Sequence, residues 1–221
     1  KLKALVTAGP TREYIDPVRY ISNESSGKQG YEIARSLSKM GVETVLISGP
    51  TKLSKPVDVK LVYVTSGKEM LTETKKNLPV DIAVCTAAVA DYVPLNYSKI
   101  KIKKKVNENL KLRNNVDILE FLSKNNFQRP KLVVGFSAET ENIIKNSTEK
   151  KIMKNCDWII ANNVSDKQIG FNSDFNSVSI IDNKNKIRNI EKNSKTFIAN
   201  IISKKIIDYF AKKNTHGKNF N

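Results

Sequence analysis

Hydrophobic and polar positions follow two different periods along this chain. Short apolar runs bounded by turn-forming residues predict buried strands at residues 3–7, 43–48, 59–64, 81–86, 131–137 and 158–161. Longer segments with a helical period predict helices at residues 28–40, 68–77, 117–124 and 141–154. Because strands alternate with helices, we expect an α/β fold, a Rossmann-like three-layer sandwich around a mostly parallel sheet.

Two later segments depart from this alternation. Residues 177–182 and 187–190 flank a polar stretch and predict a C-terminal β-hairpin, followed by a closing helix at 195–213. Residues 92–115 contain KIKIKKKVNENLKLRNN, where Lys and Ile alternate as in a strand. This alternation predicts an inserted two-stranded β-flap with Lys99, Lys101 and Lys103 on one face. A solvated edge strand protected by lysines would show the same pattern.

Length and composition favour one domain in a reducing compartment. The 221 residues fit a single domain, 1–221, and no apolar run approaches the roughly 18 residues of a membrane span. The two cysteines have no partners at metal-ligand spacing, so we expect a cytoplasmic protein without membrane contact. Because the first residue is Lys1 rather than methionine, we expect a segment of a longer chain or a processed chain.

The net charge of +16 attracts polyanions, including nucleic acid and phosphorylated small molecules. The excess lysines are scattered among Asn and Ile, however, and neither an arginine-rich recognition helix nor an aromatic stacking sheet is visible. We therefore expect no nucleic-acid partner. His216 is the only histidine and lies in a polar tail, which leaves imidazole-dependent triads and histidine zinc sites without a candidate.

The segment after the first predicted strand is a candidate anion site. Residues 25–30, SSGKQG, lead into a helix, where small residues let backbone N–H groups approach an anion and the helix dipole favours negative charge. Ser22 and Gln29 stand where a Walker A loop requires Gly and Ser or Thr, so this is not a P-loop. Serine-capped helices that bind nothing are also common.

Three further segments follow strands, where open α/β sheets bind ligands. Residues 85–92 are mostly small and end near Asp91, which offers a carboxylate to a metal or a ribose. Phe136 offers a stacking surface for a base, although core packing explains it equally well. Lys150 and Lys154 lie one helical turn apart and could face a polyphosphate, although a solvated face is the usual role of such a pair. The polar loop 161–176 could cover the base.

The ordered strings VTAGPTRE, DPVRYISN, SSGK, AAVADY, KIKK, VGFSAET, AN.VS and GFNSD.N cover nearly the whole chain. In this respect the chain resembles the phosphopantothenoylcysteine synthetase family. The resemblance implies that CTP, with Mg²⁺, activates the carboxylate of 4′-phosphopantothenate to an acyl-cytidylate, and that L-cysteine then displaces CMP to form an amide. It also implies a homodimer and, in most bacteria, fusion to a flavin-dependent decarboxylase. No flavin is expected in this segment.

The resemblance also assigns residues. It implies a nucleotide site made of Cys85, Thr86, Ala87, Asp91, Lys101, Val116, Asp117, Ile118, Leu119, Phe136, Lys150 and Lys154. Asn23 and the flap Lys101 become the catalytic candidates, and Lys99 is the alternative in a second register of KIKIKKK. Arg19 and Ala88, with the anion loop at Ser26, Gly27 and Lys28, would contact the substrate or the intermediate, and Asp91 is the candidate metal ligand.

Two positions depart from the family pattern. Gln29 replaces a methionine in the usual SSGKMG string, and Val116 stands where proline is frequent. Neither position supplies a charge, so we expect only local changes of shape. The preference for CTP over ATP rests on the resemblance alone, since no single residue decides it.

Overall fold

The computed structural model describes residues 1–103, 109–124, 127–164 and 173–216. Its strands and helices follow one another as β1 (Lys3–Ala8), β2 (Glu13–Tyr14), β3 (Tyr20–Ile21), α1 (Lys28–Lys39), β4 (Glu43–Ser48), β5 (Val59–Tyr63), α2 (Gly67–Lys76), β6 (Ile82–Cys85), β7 (Tyr92–Pro94), β8 (Leu112–Asn114), α3 (Ile118–Lys124), β9 (Leu132–Glu139), α4 (Ile143–Lys154), β10 (Trp158–Asn163), β11 (Phe175–Ile181), β12 (Ile187–Ser194) and α5 (Lys195–His216). Every strand and helix predicted outside the flap is present, with boundaries shifted by a few residues.

Eight strands form the central sheet, in the order β12-β11-β10-β9-β6-β1-β4-β5. Six neighbouring strands run parallel, in the order β10-β9-β6-β1-β4-β5. The hairpin strands β11 and β12 extend the sheet beyond β10 and pair antiparallel. The predicted mostly parallel sheet and C-terminal hairpin are confirmed. The chain fills the sheet outward from β1 in both directions, so β1 and β6 flank the switch point where α/β sheets usually bind ligands.

Two apolar clusters hold helices against opposite faces of the sheet. On one face α1 and α5 bury Ile33, Leu37 and Ile202 against β1, β6, β9 and β10. On the other, α2 contributes Met70 and α3 contributes Leu122 to a second cluster. This arrangement is the predicted three-layer sandwich. None of the helices in the described ranges is long and apolar enough to cross a membrane.

The flap differs from its prediction in one respect. β7 pairs with β8 in an antiparallel ladder, which confirms the two-stranded insertion. The prediction that the Lys/Ile alternation at 99–103 forms a strand is wrong, because the structure places those residues outside any strand. Ile102 instead bonds through its backbone to Asp16 and Arg19, and Ser98 N donates to the Ile15 carbonyl. Contacts with the β2–β3 connection thus take the place of a partner strand; residues 104–108 lie outside the described ranges.

Two smaller differences concern segments without a strong sequence pattern. The two-residue strands β2 and β3 form a short antiparallel ladder in the segment that follows β1. They are too short to show a period of two, so the sequence did not predict them. The last helix, α5, extends to His216, three residues beyond its predicted end.

Candidate functional site

A cleft of about 800 Å³ opens at the carboxyl ends of β1, β6, β9 and β10. Residues 23–30, 85–92, 114–120 and 136–138 line it, together with Thr7, Lys150, Lys154, Asn162, Asn176 and Lys195. The cleft lies at the switch point between β1 and β6. It therefore brings together all the predicted site residues except Arg19 and Lys101.

The start of α1 forms one side of the cleft. Gly27 is its N-cap, with φ of 75°, and no side chain caps the helix there. At Gly30 a Cβ would lie 2.3 Å from Thr86 Oγ1 and 2.6 Å from Ala8 Cβ, so only glycine lets the helix approach the sheet this closely. The positive end of the helix dipole consequently faces the cleft, as the anion-site hypothesis requires.

The small-residue loop after β6 is fixed against the loop after β1. Ala88 N donates to the Gly9 carbonyl over 2.9 Å, and Ala90 N donates to Thr11 Oγ1 over 3.1 Å. Asn23 Nδ2 donates to the Val89 carbonyl over 3.1 Å. Asn23 and Ala88 are thereby held on adjacent loops at the cleft, and Asn23 is exposed there.

The residues of the predicted nucleotide turn lie on the opposite side. Lys154 Nζ is 2.9 Å from both Asp117 Oδ2 and Glu120 Oε2. The hydrogen bond to Asp117 raises the pKa of Lys154, and the contacts with Lys124 and Lys154 lower the pKa of Glu120 to about 2. The ammonium of Lys154 therefore holds the start of α3 to α4, and two carboxylates balance its charge.

Cys85 and Phe136 contribute shape at the floor of the cleft. Burial raises the pKa of the Cys85 thiol well above its ordinary value, so Cys85 stays neutral. Phe136 is half-buried, lines the cleft and also packs against the apolar cluster of α1 and α5. Both interpretations of Phe136, a surface for a base and a core residue, thus agree with its position.

The structure adds a corner that the sequence analysis did not assign. Lys28 Nζ lies 2.6 Å from Asp174 Oδ1, and the nearly buried Lys195 lines the cleft beside them. Burial, with help from Lys28, lowers the pKa of Lys195 to about 8. Asn176 is fully buried. Asp174 and Asn176 belong to the GFNSD.N string, whereas nothing in the sequence distinguishes Lys195 from its many neighbouring lysines.

Arg19 and Lys101 lie together outside the cleft. Asp16 is buried and accepts hydrogen bonds from the Arg19 guanidinium and, over 3.1 Å, from Ile102 N. Arg19 in turn donates to the Ile102 carbonyl over 2.8 Å. Lys101, the neighbour of Ile102, is exposed. The Arg19 guanidinium holds the pKa of Asp16 well below its usual range, so this carboxylate remains charged.

A resident metal centre finds little support among the described residues. They contain no group of three or more His, Cys, Asp or Glu side chains that could hold an ion. Asp91 is exposed and lines the cleft. One carboxylate is the donor set expected for a cation that arrives with a polyphosphate ligand, because Mg²⁺ takes most of its other ligands from phosphates and water.

Residues 1–210 match the family model described as the DNA/pantothenate metabolism flavoprotein C-terminal domain. The chain belongs to this family. The bifunctional coenzyme A biosynthesis protein CoaBC of Escherichia coli K12 is 39% identical over 221 residues, which cover 96% of this chain and 53% of that protein. The CoaBC protein of Haemophilus influenzae is 41% identical over 216 residues, covering 96% and 52%. The chain thus spans about half the length of these relatives.

Family membership extends to the three-dimensional structure. The crystal structure of the C-terminal domain of a CoaBC protein superposes with a TM-score of 0.79 at 35% sequence identity, covering 96% of both chains. The Rossmann-like fold and the resemblance inferred from the ordered motifs are therefore confirmed. The structural match is to the C-terminal domain of a CoaBC protein.

Proposed function

We propose that this chain is a phosphopantothenate–cysteine ligase that activates 4′-phosphopantothenate with CTP. The observation that carries the proposal is the cleft at the β1–β6 switch point, which gathers the motif residues from five separate segments of the chain. The relatives named above take part in coenzyme A biosynthesis, and the chain matches them over 96% of its length.

The chemistry needs positioning and charge stabilisation rather than a protein nucleophile. A carboxylate oxygen of phosphopantothenate attacks the α-phosphorus of CTP while the α–β bridging oxygen leaves with pyrophosphate. The amine of L-cysteine then attacks the acyl carbon, loses a proton, and CMP departs. Asn23 lies at the cleft and can hydrogen-bond to the acyl group through its side-chain amide. The α1 start stabilises anionic oxygens, and Phe136 with the 116–119 turn offers a place for the base.

Magnesium fits this site as a companion of the triphosphate. Asp91 would hold it together with phosphate oxygens, since Mg²⁺ is usually bound through one or two carboxylates and substrate phosphates. When bound, the ion would neutralise charge on the phosphates. The chain itself would orient the substrates, in particular through the loop after β6. Ala88 and Ala90 attach this loop to the loop after β1 by hydrogen bonds.

A homodimer would complete the site. Arg19 and Lys101 lie outside the cleft of their own chain, and the segment 18–20 and the flap around them carry several exposed apolar side chains. These are Val18, Tyr20, Leu95, Tyr97, Ile100, Leu110 and Leu112. Exposed apolar clusters of this kind mark interfaces, and a second copy docking there could bring a flap toward a cleft. A flavin-dependent decarboxylase, fused or separate, is the expected neighbour in the pathway.

Pyrophosphate release tests the function directly. Purified protein with Mg²⁺ is expected to release pyrophosphate when CTP and 4′-phosphopantothenate are both present, and to form the amide when L-cysteine is added. Omitting phosphopantothenate is the control for CTP hydrolysis. Replacing CTP with ATP tests the base preference. An absence of pyrophosphate release under all of these conditions would refute the ligase proposal.

A further inference from the structure

Charged side chains lie at two sides of the cleft. At the side formed by α3 and α4, Lys154 contacts both Asp117 and Glu120, and Lys150 lines the cleft from the same helix. At the α1 side, Lys28 contacts Asp174, Lys195 lies close to both, and Glu24 also lines the cleft. Here the positive end of the α1 dipole adds to the charge of the two lysines. The α1 side is therefore the better candidate for the phosphates of a ligand.

The arrangement of this corner is built into the fold. Lys195 is the first residue of α5, and its N–H donates to the Asp174 carbonyl over 2.9 Å. Gln29 Nε2 donates to the Lys195 carbonyl over 3.2 Å, which ties the start of α5 to the first turn of α1. The two helix starts thus meet at the cleft. Lys195 is 6% exposed and lines the cleft, so an anionic ligand bound there would lie beside a largely desolvated ammonium.

Asn176 offers an independent donor at this corner. Its side chain is fully buried and lines the cleft. Its Oδ1 accepts from Ser177 N over 2.9 Å, whereas its Nδ2 has no hydrogen-bond partner among the residues that the structure describes. A buried donor without an acceptor costs free energy unless a ligand or water satisfies it. Because the amide carries a free N–H, the matching ligand atom is an acceptor such as a phosphate oxygen.

We propose that Lys195 and Asn176 bind the two terminal phosphates of the nucleoside triphosphate, across the cleft from the start of α1. When the bond to the α-phosphorus breaks, these two residues hold the pyrophosphate that forms. This role rests on the proposed function, which supplies the triphosphate. It also fixes the direction of the nucleotide, with the phosphates between α1 and α5 and the base toward Phe136. Neither residue has a role in the motif-based assignment.

Inorganic tripolyphosphate tests the subsite without the base or the ligation reaction. We expect Lys195→Met to weaken its binding, measured by isothermal titration calorimetry, about tenfold or more, as the loss of a charge-assisted hydrogen bond implies. Asn176→Asp, which replaces the donor with a like charge, should weaken it further. CMP, which lacks the terminal phosphates, should bind both variants as it binds the unaltered protein.

Lys204→Met is the matched control. Lys204 is exposed on the same helix and does not line the cleft, so its loss removes one positive charge without touching the corner. If Lys204→Met weakens tripolyphosphate binding as much as Lys195→Met does, the effect arises from the net charge of the protein, and the proposal is overturned. Unchanged tripolyphosphate binding in both Lys195→Met and Asn176→Asp would overturn it as well. Thermal unfolding confirms that each variant is folded.

The pH dependence adds a second readout. Lys195 faces Lys28 from α1 and Asp174 from its own side, and its pKa of about 8 means that it loses its proton as pH rises from 7 to 9. Tripolyphosphate favours the protonated form, so binding takes up a proton and weakens across that range. In Lys195→Arg the charge persists, because arginine does not titrate there. Titration of the ligand is common to both proteins, so equal pH profiles would contradict the role of Lys195.

These outcomes separate the subsite from the proposed function. Tripolyphosphate binding that depends on Lys195 in a protein that never releases pyrophosphate would support the subsite and refute the ligase. Pyrophosphate release with phosphopantothenate, combined with full activity and an unchanged KM for CTP in both variants, would support the ligase and refute the subsite.

Discussion

The cleft wall and the flap carry the two candidate catalytic residues, and the chain holds them in different ways. Asn23 lies on the wall, where loops after β1 and β6 are cross-linked by backbone hydrogen bonds close to the central sheet. Lys101 lies on the flap, outside the central sheet, beside an attachment made through one buried carboxylate, Asp16. The candidate site at the wall is therefore preorganised, whereas the candidate lysine on the flap is positioned by a separate set of contacts.

This difference has a simple physical origin. The carboxyl ends of parallel strands meet at one edge, so small residues after β1 and β6 are placed in contact by the sheet itself. The flap is joined to the rest of the chain at its base, where Asn115 Nδ2 donates to Glu13, and through the contacts of Ser98 and Ile102 with the β2–β3 connection. These contacts lie outside the central sheet, so the flap can move locally without unfolding the core.

The largest expected effects come from replacing each of the two catalytic candidates with alanine. Lys101→Ala should slow formation of the acyl-cytidylate by roughly 10²–10³, the usual cost of losing one group that stabilises transition-state charge. Asn23→Ala should instead let the intermediate accumulate, because the second step is impaired. Rapid quench with labelled CTP measures both. The wall and the flap would then act on different steps.

Lys99→Ala is the control for the register of the flap. Lys99 is exposed two residues before Lys101, so its loss removes the same charge from the same segment. It should leave both rates nearly unchanged. A large loss in Lys99→Ala with none in Lys101→Ala would transfer the catalytic role to Lys99, and unchanged progress curves for Asn23→Ala would remove the role assigned to the wall.

A smaller effect is expected when the attachment of the flap is weakened. Asp16→Asn keeps the shape of the side chain but replaces the charge that binds Arg19 and Ile102 N. Because misplacement of a catalytic group can cost about 10²-fold, we expect kcat to fall by roughly ten to a hundred times with little change in the KM for CTP. Steady-state kinetics separate the two parameters.

A double variant tests whether Asp16 acts by positioning Lys101. If Asp16 acts through Lys101, the double variant Asp16→Asn/Lys101→Ala should be little slower than Lys101→Ala alone, since coupled residues are not additive. Asp208→Asn, an exposed carboxylate on α5, is the matched control and should have no effect. Strictly additive losses, or an equal rise in the KM for CTP, would point to general damage instead.

The periodicity of the chain predicted the central sheet because burial enforces it. Every strand from β1 to β10 in the parallel sheet has an apolar run, and Ile33 and Leu37 mark the buried face of α1. The lining of the cleft was also predictable, since ligand sites in open α/β sheets follow strand ends and the ordered motifs contain most of the residues that line it. The prediction of a Lys/Ile strand at 99–103 is wrong.

The strand prediction at 99–103 failed because the alternation of Lys and Ile does not by itself supply a partner strand. A strand needs neighbours for its N–H and C=O groups, and the backbone of Ile102 finds them in Asp16 and Arg19. The corner at Lys195 was missed for another reason. Its evidence is burial and the unpartnered amide of Asn176, which are properties of the folded chain and leave no mark in a lysine-rich sequence.

The smallest expected effect tests the wall alone. Phe136→Leu preserves much of the packing against the α1–α5 cluster but removes the ring from the cleft. Stacking on an aromatic ring contributes about 1–3 kcal/mol per base, so we expect the KM for CTP to rise about tenfold while kcat changes little. Phe197→Leu, the same substitution at a half-exposed position outside the cleft, should change neither. A fall in kcat without a rise in KM would mean that Phe136 supports the catalytic geometry at the wall, as Asn23 is expected to do, and does not bind the base.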